Sequence, residues 1–449
     1  MASSYISRTF GTPTDEDKWT LSFWYKKCSP TATARVLDAD GGGNEGNISF
    51  DHTTGKLNFY QYPGGTQLIT SNYYRDVGAF YHVVVIFDAA NGTASDRAQI
   101  WVNGERVTTL GTASYPTTLY SRINKSGVVH YIGARGSSSN LYCDGVFSHM
   151  NFVDGSALAP SYFGETDSTS GIWKIKTSPS VTYGNNGFFL KFEDRTNLDL
   201  DSSPNAHTFT TTGTITPTYD NPSNNFATMN PNMGAFGSAY GFTLTNGNLK
   251  VATTSSNDCG IPATFAMEGG KWYWEVKCDY MPSTQSGCLG IVNTDKNWGN
   301  ASTGTGDPYG FVYVSNGQKK RDGTAESYGD SWGPASSGGD IIGVAFDVDN
   351  RKLYFSKNGT WQDSGDPTSG ATGTGAAYTI PTGRIYMPYA CERASGYSFE
   401  CSFNFGNGYF GTTAVSSTNA DDAGIGSFEY DVPAGYYALC TKNIKAYGG

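Results

Sequence analysis

The 449-residue chain carries Asp+Glu 40 against Lys+Arg 30, a formal net charge of −10, and no dense cluster of basic residues; this excludes a nucleic-acid groove, which needs cations to neutralise phosphates. The charged fraction is only 16%, while Gly 57, Tyr 30 and Phe 25 favour strands joined by tight turns. The length exceeds one ordinary core, so two or more domains are expected, and no apolar run approaches the ~18 residues that would insert into a membrane as a helix.

Met1-Ala-Ser-Ser-Tyr-Ile6 has neither the basic start nor the apolar centre of a signal peptide, which predicts synthesis in a cytoplasm. The eight cysteines form no Cys-x-x-Cys pair and have no His at metal spacing, so zinc is not expected and reduced thiols are. Cys278/Cys288 and Cys391/Cys401 repeat one spacing, which fits neighbouring strands. With no helical apolar periodicity, the predicted class is all-β: two antiparallel β-sandwich (jelly-roll) domains in series with few helices.

Strand signals begin where Trp19, Leu21, Phe23 and Tyr25 alternate with Thr20, Ser22 and Trp24, giving one bulky apolar face. Tyr81-His82-Val83-Val84-Val85-Ile86-Phe87 is apolar on both faces and predicts a central, covered strand with His82 hydrogen-bonded inside it. Ile100-Trp101-Val102 before Asn103-Gly104 predicts a hairpin, because Asn-Gly accepts positive φ. Taken with Ile132-Gly133 and Asp144-Gly145, this series resembles the laminin G-like, or concanavalin-like, lectin family. The resemblance implies a lectin-type sandwich over residues 1–165. Because such sandwiches sometimes hold calcium through loop carboxylates, it also marks Asp38, Asp40 and Asp144 as candidate oxygen ligands, with plain acidic turns as the alternative. No other cofactor is expected.

Residues 166–232 read as a connector that partly completes the first sandwich, since Phe188, Leu190 and Phe192 alternate. The Asp201-to-Ala206 stretch and the Thr-rich run 208–218 read as a surface linker. The connector also carries Tyr183-Gly-Asn-Asn-Gly-Phe-Phe-Leu-Lys-Phe192 and Asp220-Asn-Pro-Ser-Asn-Asn-Phe-Ala-Thr-Met-Asn-Pro231, after Asn151-Phe-Val-Asp-Gly155. A lectin-like sandwich with these phrases resembles structural proteins of tailed bacteriophages, especially those of marine bacteria.

Next, Ile342, Val344, Phe346 and Val348 alternate with Gly343, Ala345, Asp347 and Asp349. A polar break follows, then Leu353-Tyr354-Phe355 and Asn358-Gly359, which together predict a hairpin. The order from Gly339 to Trp361, with Gly270-Lys-Trp-Tyr-Trp-Glu-Val276 upstream, resembles the SPRY family, placing such a domain at 233–410. That resemblance implies a sandwich used for binding rather than chemistry. Residues 411–449, with Phe428, Tyr436, Tyr437 and Leu439, are too apolar for a free linker and are expected to pack on this subunit or a neighbour.

Catalytic patterns are thin. No Glu-x-Asp-x-Glu strand of laminarinase type occurs; Glu193/Asp194, Asp199/Asp201 and Asp347/Asp349 are the nearest pairs. No Gly-x-Ser-x-Gly elbow is found. The binding candidates are Trp298, Tyr309, Tyr328 and Trp332, aromatics among Gly, Ser and Asp, with core packing as the plainer role.

The expected function is therefore a non-enzymatic phage virion protein at the particle surface, a tail fibre or tail-associated adhesin. It would meet a host cell-surface glycan or envelope component and other virion proteins. A capsid-surface decoration (cement) protein and, third, a polysaccharide-degrading enzyme are the alternatives. The phage resemblance implies a homo-oligomer, a trimer, although no heptads appear. Neither nucleic-acid binding nor membrane insertion is expected.

Overall fold

The computed structural model describes residues 4–29, 33–41, 43–51, 54–136, 140–233, 242–253, 260–282, 287–295, 309–334, 339–392 and 398–448. The chain divides into two units, residues 1–217 with 221–223, and residues 218–220 with 224–449. Both are sandwiches of strands.

The first unit holds β1 (Tyr5–Thr9), β2 (Lys18–Lys27), β3 (Ala34–Asp38), β4 (Glu45–Phe50), β5 (Leu57–Tyr62), β6 (Thr66–Thr70), β7 (Tyr81–Asp88), β8 (Ala98–Val102), β9 (Glu105–Arg106), β10 (Leu110–Ser114), β11 (Val129–Ile132), β12 (Gly145–Asp154), β13 (Gly164–Thr166), β14 (Trp173–Ile175), β15 (Phe188–Leu190) and β16 (Thr210–Thr212). Eight strands form one sheet in the order β10-β6-β5-β4-β3-β11-β1-β16, and six form the other, β15-β12-β2-β7-β8-β9. Strand β2 lies at the centre of the second sheet because its alternate residues Trp19, Leu21, Phe23 and Tyr25 are all fully buried between the sheets. Trp19 packs among Phe59, Phe87 and Phe152 at ring separations of 5.6, 5.4 and 5.8 Å. The Asn103-Gly104 turn has φ of 49° and 83°, as its residue types require. Gly104 is doubly constrained, since a Cβ there would lie 2.6 Å from the Trp173 ring.

Residues 155–187 fold back over the outer face of the six-stranded sheet. Phe163 and Tyr183 cover Val84, Ile86, Val153 and Phe189, which accounts for the apolar residues on both faces of β7. Two polar latches hold this strap. Trp173 Nε1 donates to His82 Nδ1 at 2.9 Å, so the His82 proton sits on Nε2, 2.9 Å from Ser22 Oγ. The buried Asp154 carboxylate accepts from the backbone N–H groups of Thr14, Asp15 and Asn186 and from Asn124 Nδ2, at 2.7, 3.2, 3.0 and 2.8 Å.

Residues 166–232 divide between the two units. Strand β15 pairs with β12 and β16 with β1, so residues 166–217 belong to the first unit. The Thr-rich run supplies an exposed edge strand because threonine suits a pleated surface. Residues 224–232 belong to the second unit.

The second unit holds β17 (Phe242–Thr245), β18 (Lys250–Thr253), β19 (Gly260–Pro262), β20 (Lys271–Tyr280), β21 (Gly287–Asn293), β22 (Gly310–Val314), β23 (Gln318–Arg321), β24 (Thr324–Ser327), β25 (Ile341–Asp347), β26 (Lys352–Lys357), β27 (Thr360–Trp361), β28 (Tyr378–Thr379), β29 (Tyr386–Glu392), β30 (Glu400–Asn404), β31 (Tyr409–Phe410), β32 (Thr413–Ala414), β33 (Tyr437–Ala438) and a helix, α1 (Thr441–Tyr447). One sheet runs β17-β18-β30-β20-β25-β26-β27 and the other β19-β29-β21-β22-β23-β24. Trp272, Trp274 and Val276 of β20 face Ile342, Val344 and Phe346 of β25 across the ladder, all pointing into the core.

The opposite face of β20, β25 and β26 presents Tyr273, Ala345 and Tyr354. The C-terminal segment covers it with Phe428, Tyr436, Ala438 and Cys440. Entry and exit of the unit are zipped together, Ala227 N to Leu439 O at 3.0 Å and Thr441 N to Asn225 O at 2.9 Å. The latch is Glu275, fully buried, whose carboxylate accepts from the N–H groups of Glu429 and Tyr430, both at 2.9 Å, from Tyr273 Oη at 3.1 Å and from Asn404 Nδ2 at 3.3 Å. Burial pushes this carboxyl up to about 7 against those donors.

Candidate functional site

The surface best provided with polar recognition groups is the outer face of the eight-stranded sheet in the first unit. Strand alternation sends Leu57, Phe59 and Gln61 inward and Asn58, Tyr60 and Tyr62 outward. Register then sets the outward residues in rows. One row crosses seven strands through the pairs Gln67–Tyr60, Tyr60–Asn47, Asn47–Asp38, Asp38–Tyr131, Tyr131–Ser7 and Ser7–Thr210. A second runs Ile69–Asn58–Ser49–Arg35 beside it. Tyr5 meets Tyr131 edge-on at 5.6 Å.

At the centre the charges are matched internally. Arg35 Nη1 lies 2.7 Å from Glu45 Oε1 and 3.4 Å from Asp38 Oδ1, and Arg135 Nε lies 2.9 Å from Asp40 Oδ2. Asp38 also accepts the Gly136 N–H at 2.9 Å, and Asn47 Nδ2 donates to Glu45 Oε1 at 2.8 Å. Burial pushes the Asp38 carboxyl up to about 6, more than the Gly136 N–H and Arg35 pull it down. Gly136 lies flat on the Tyr131 ring, where a Cβ would be 2.1 Å from it. The flanks of the row, Gln67, Tyr60, Tyr131 and Ser7, are half-buried, offering ring area next to amide and hydroxyl groups. Such a mixture can hydrogen-bond a polyol while stacking on its C–H face.

The three calcium candidates, Asp38, Asp40 and Asp144, have these partners. Asp38 and Asp40 are engaged by guanidinium groups that already supply the positive charge, while the Asp144 carbonyl accepts from Cys28 N and Tyr25 Oη. Among the described residues, no group of three or more His, Cys, Asp or Glu is placed to hold a metal ion.

The loop aromatics divide. Tyr328 and Trp332 are core residues, 7% and 2% exposed, and do not line a binding surface. Tyr328 packs edge-on to Tyr313 at 5.5 Å, and Trp332 lies 6.1 Å from Phe399. Backbone bonds from Tyr328 N to Gly317 O and from Trp332 N to Ser315 O turn this stretch inward. Tyr309 is 36% exposed, and Trp298 lies outside the described residues.

The carboxylate pairs weighed for glycoside hydrolysis serve the fold. Asp201 accepts from Phe189 N, Ser203 N and His207 N; Asp347 bonds Asn350 and pairs with Lys271; Asp349 accepts from Gly270 N. A serine–histidine–carboxylate string does occur on β12 and beyond it. Ser148 Oγ lies 2.7 Å from His149 Nδ1, and His149 Nε2 lies 3.3 Å from Glu193, with His149 at φ 46° on a bulge. Ser148 is buried, 5% exposed.

Known proteins match this architecture in two places. Residues 2–161 match the concanavalin A-like lectin/glucanases superfamily, and residues 271–391 match the SPRY domain. The chain thus carries a concanavalin A-like domain followed by a SPRY domain. Similar solved structures include the SPRY domain of human HERC1, at 14% identity and a TM-score of 0.31, covering 39% of this chain and 96% of that one. The TRIM65 PSpry domain has 15% identity and a TM-score of 0.28, covering 40% and 88%. Stonustoxin has 17% identity and a TM-score of 0.27, covering 40% of this chain and 27% of its own. No curated protein matches the chain.

Proposed function

We propose that this chain is a non-catalytic surface protein of a tailed-phage particle, a tail-associated adhesin that meets a host-surface glycan with the outer face of its eight-stranded sheet. The observation that carries the binding part is the cross-strand row Gln67–Tyr60–Asn47–Asp38–Tyr131–Ser7. Its flanks, Gln67, Tyr60, Tyr131 and Ser7, combine rings and neutral hydrogen-bonding groups on either side of the buried Asn47 and Asp38, and the carboxylates there are occupied by Arg35 and Arg135. A neutral polyol fits this chemistry better than a strongly charged ligand, whose counter-charge is already supplied. The particle assignment rests on the phrases around Asn151–Gly155, Tyr183–Phe192 and Asp220–Pro231 that resemble phage structural proteins.

A glycan array with the full chain tests the reading. It is supported if polysaccharides of a host envelope bind and Tyr60→Ala with Gln67→Ala lowers binding by at least tenfold while the melting profile is kept. Equal binding by both proteins would move the site elsewhere; release of reducing sugar would replace the adhesin with an enzyme.

A further inference from the structure

The second unit buries two cross-strand cysteine pairs that differ in one geometric respect. Cys278 of β20 stands opposite Cys401 of β30, and Cys288 of β21 stands opposite Cys391 of β29. All four are buried, 0–1% exposed. In an antiparallel ladder, directly opposed residues alternate between hydrogen-bonded pairs, with Cα atoms about 5.5 Å apart, and non-hydrogen-bonded pairs, about 4.5 Å apart with closer side chains.

Neighbouring backbone bonds tell which is which. Cys278 N donates to Asp340 O, away from β30; Phe403 N donates to Leu249 O, away from β20, and Cys401, two residues earlier, points the same way. Cys278 and Cys401 are therefore a non-hydrogen-bonded pair. On the other sheet, Thr294 N donates to Ile385 O in the same register, six residues along, so Cys288 and Cys391 form a hydrogen-bonded pair. Pro388, which has no N–H, faces Ile291 at an intervening non-bonded position, as this phase requires.

We propose that Cys278 and Cys401 close into a disulfide when the folded chain meets a disulfide oxidant, while Cys288 and Cys391 remain thiols. A disulfide needs Cβ atoms about 3.5–4.5 Å apart, which the close, non-bonded pair approaches and the wider pair does not. Both side chains of the first pair point into the same core, so no rotation of a strand is needed. The chemistry balances with oxidised glutathione. One cysteine thiolate attacks a glutathione sulfur and expels the first glutathione thiolate. The second cysteine thiolate then attacks the protein sulfur of the mixed disulfide and expels the other. The two cysteines lose two protons and two electrons, and one glutathione disulfide becomes two thiols. Burial pushes the Cys278 thiol up to about 12 and raises the Cys401 thiol as well, so exchange waits on transient separation of β20 from β30 and quickens with pH. The bond would suit a protein that folds in a reducing compartment and works outside it.

The test incubates the full chain with oxidised glutathione at pH 8, alkylates it under denaturing conditions and maps the peptides by mass. The expected product links the peptides of Cys278 and Cys401, leaves Cys288 and Cys391 alkylated, and raises the Tm of the second unit by roughly 5–15 °C. Cys278→Ser and Cys401→Ser should each abolish the linked peptide and the Tm rise, and Cys288→Ser should keep both. Peptide mapping of the unaltered chain decides the matter even if a serine variant fails to fold. Alkylation of both Cys278 and Cys401 after oxidation, or preferential linking of Cys288 to Cys391, would overturn the proposal.

Discussion

The two units solve one problem in two ways. Each contains a sheet whose outer face is too apolar for water, and each covers it with its own chain. The first uses an internal strap, residues 155–187, latched by a neutral imidazole at His82 and the carboxylate of Asp154. The second uses its C-terminal segment, latched by Glu275. They differ in what remains. The first unit leaves the outer face of its other sheet polar, whereas the second buries Cys288, Val292, Val312, Val314, Met387 and Tyr389 on the corresponding face. The polar face of the first unit keeps half-buried rings and amides at its flanks, around the buried Asn47 and Asp38.

The largest expected break in this comparison is removal of residues 411–449. That truncation uncovers Phe226, Tyr273 and Tyr354 and strips Glu275 of two of its donors. Calorimetry should show the transition of the second unit lost and that of the first kept, as the strap of the first lies within 155–187.

Next in size is an opposite response to acid. All five histidines belong to the first unit, and burial holds His82 and His130 near 3. Their folded values lie below the unfolded one, so the stability they contribute is complete above pH ~6.5 and is lost as pH falls. Asp38, raised to about 6, offsets part of this loss. Glu275, raised to about 7, contributes the reverse, because its protonated form is the one burial favours. Between pH 7 and 5 the first unit should lose about 2–3 kcal/mol and the second gain about 2 kcal/mol. Two melting transitions that move apart on acidification would bear this out; parallel shifts would not.

Glu275→Gln replaces one acceptor oxygen by an amide that faces a backbone N–H, stranding a buried donor. It should cost the second unit about 1–3 kcal/mol in urea unfolding at pH 8. The smallest effect belongs to the first strap. Trp173→Phe keeps the ring against Gly104 but leaves His82 Nδ1 without its donor, and should cost about 1 kcal/mol with the second unit unchanged.

What could be read in the chain beforehand follows this same division. Periodicity identified the inward faces of β2 and β25, and the turn residues identified the 103–104 and 358–359 corners, because both depend on neighbours in sequence. The candidate site depends on strand order. Nothing local to Tyr60 or Asn47 says that β5, β4, β3 and β11 lie side by side. Tyr328 and Trp332 were misplaced for the converse reason. Their Gly- and Ser-rich surroundings look like a loop, yet backbone bonds to Ser315 and Gly317 fold that loop onto the core. The straps were legible only as apolar excess, since the faces they cover are assembled from distant strands.

The central claim is that the polar face of the eight-stranded sheet meets the host. The most direct measurement is a cryo-EM map of the intact particle, resolved well enough to orient this chain. The account predicts density at the tail with Tyr60, Gln67 and Tyr131 facing outward. Density on the capsid with that face packed against a neighbouring subunit would contradict it.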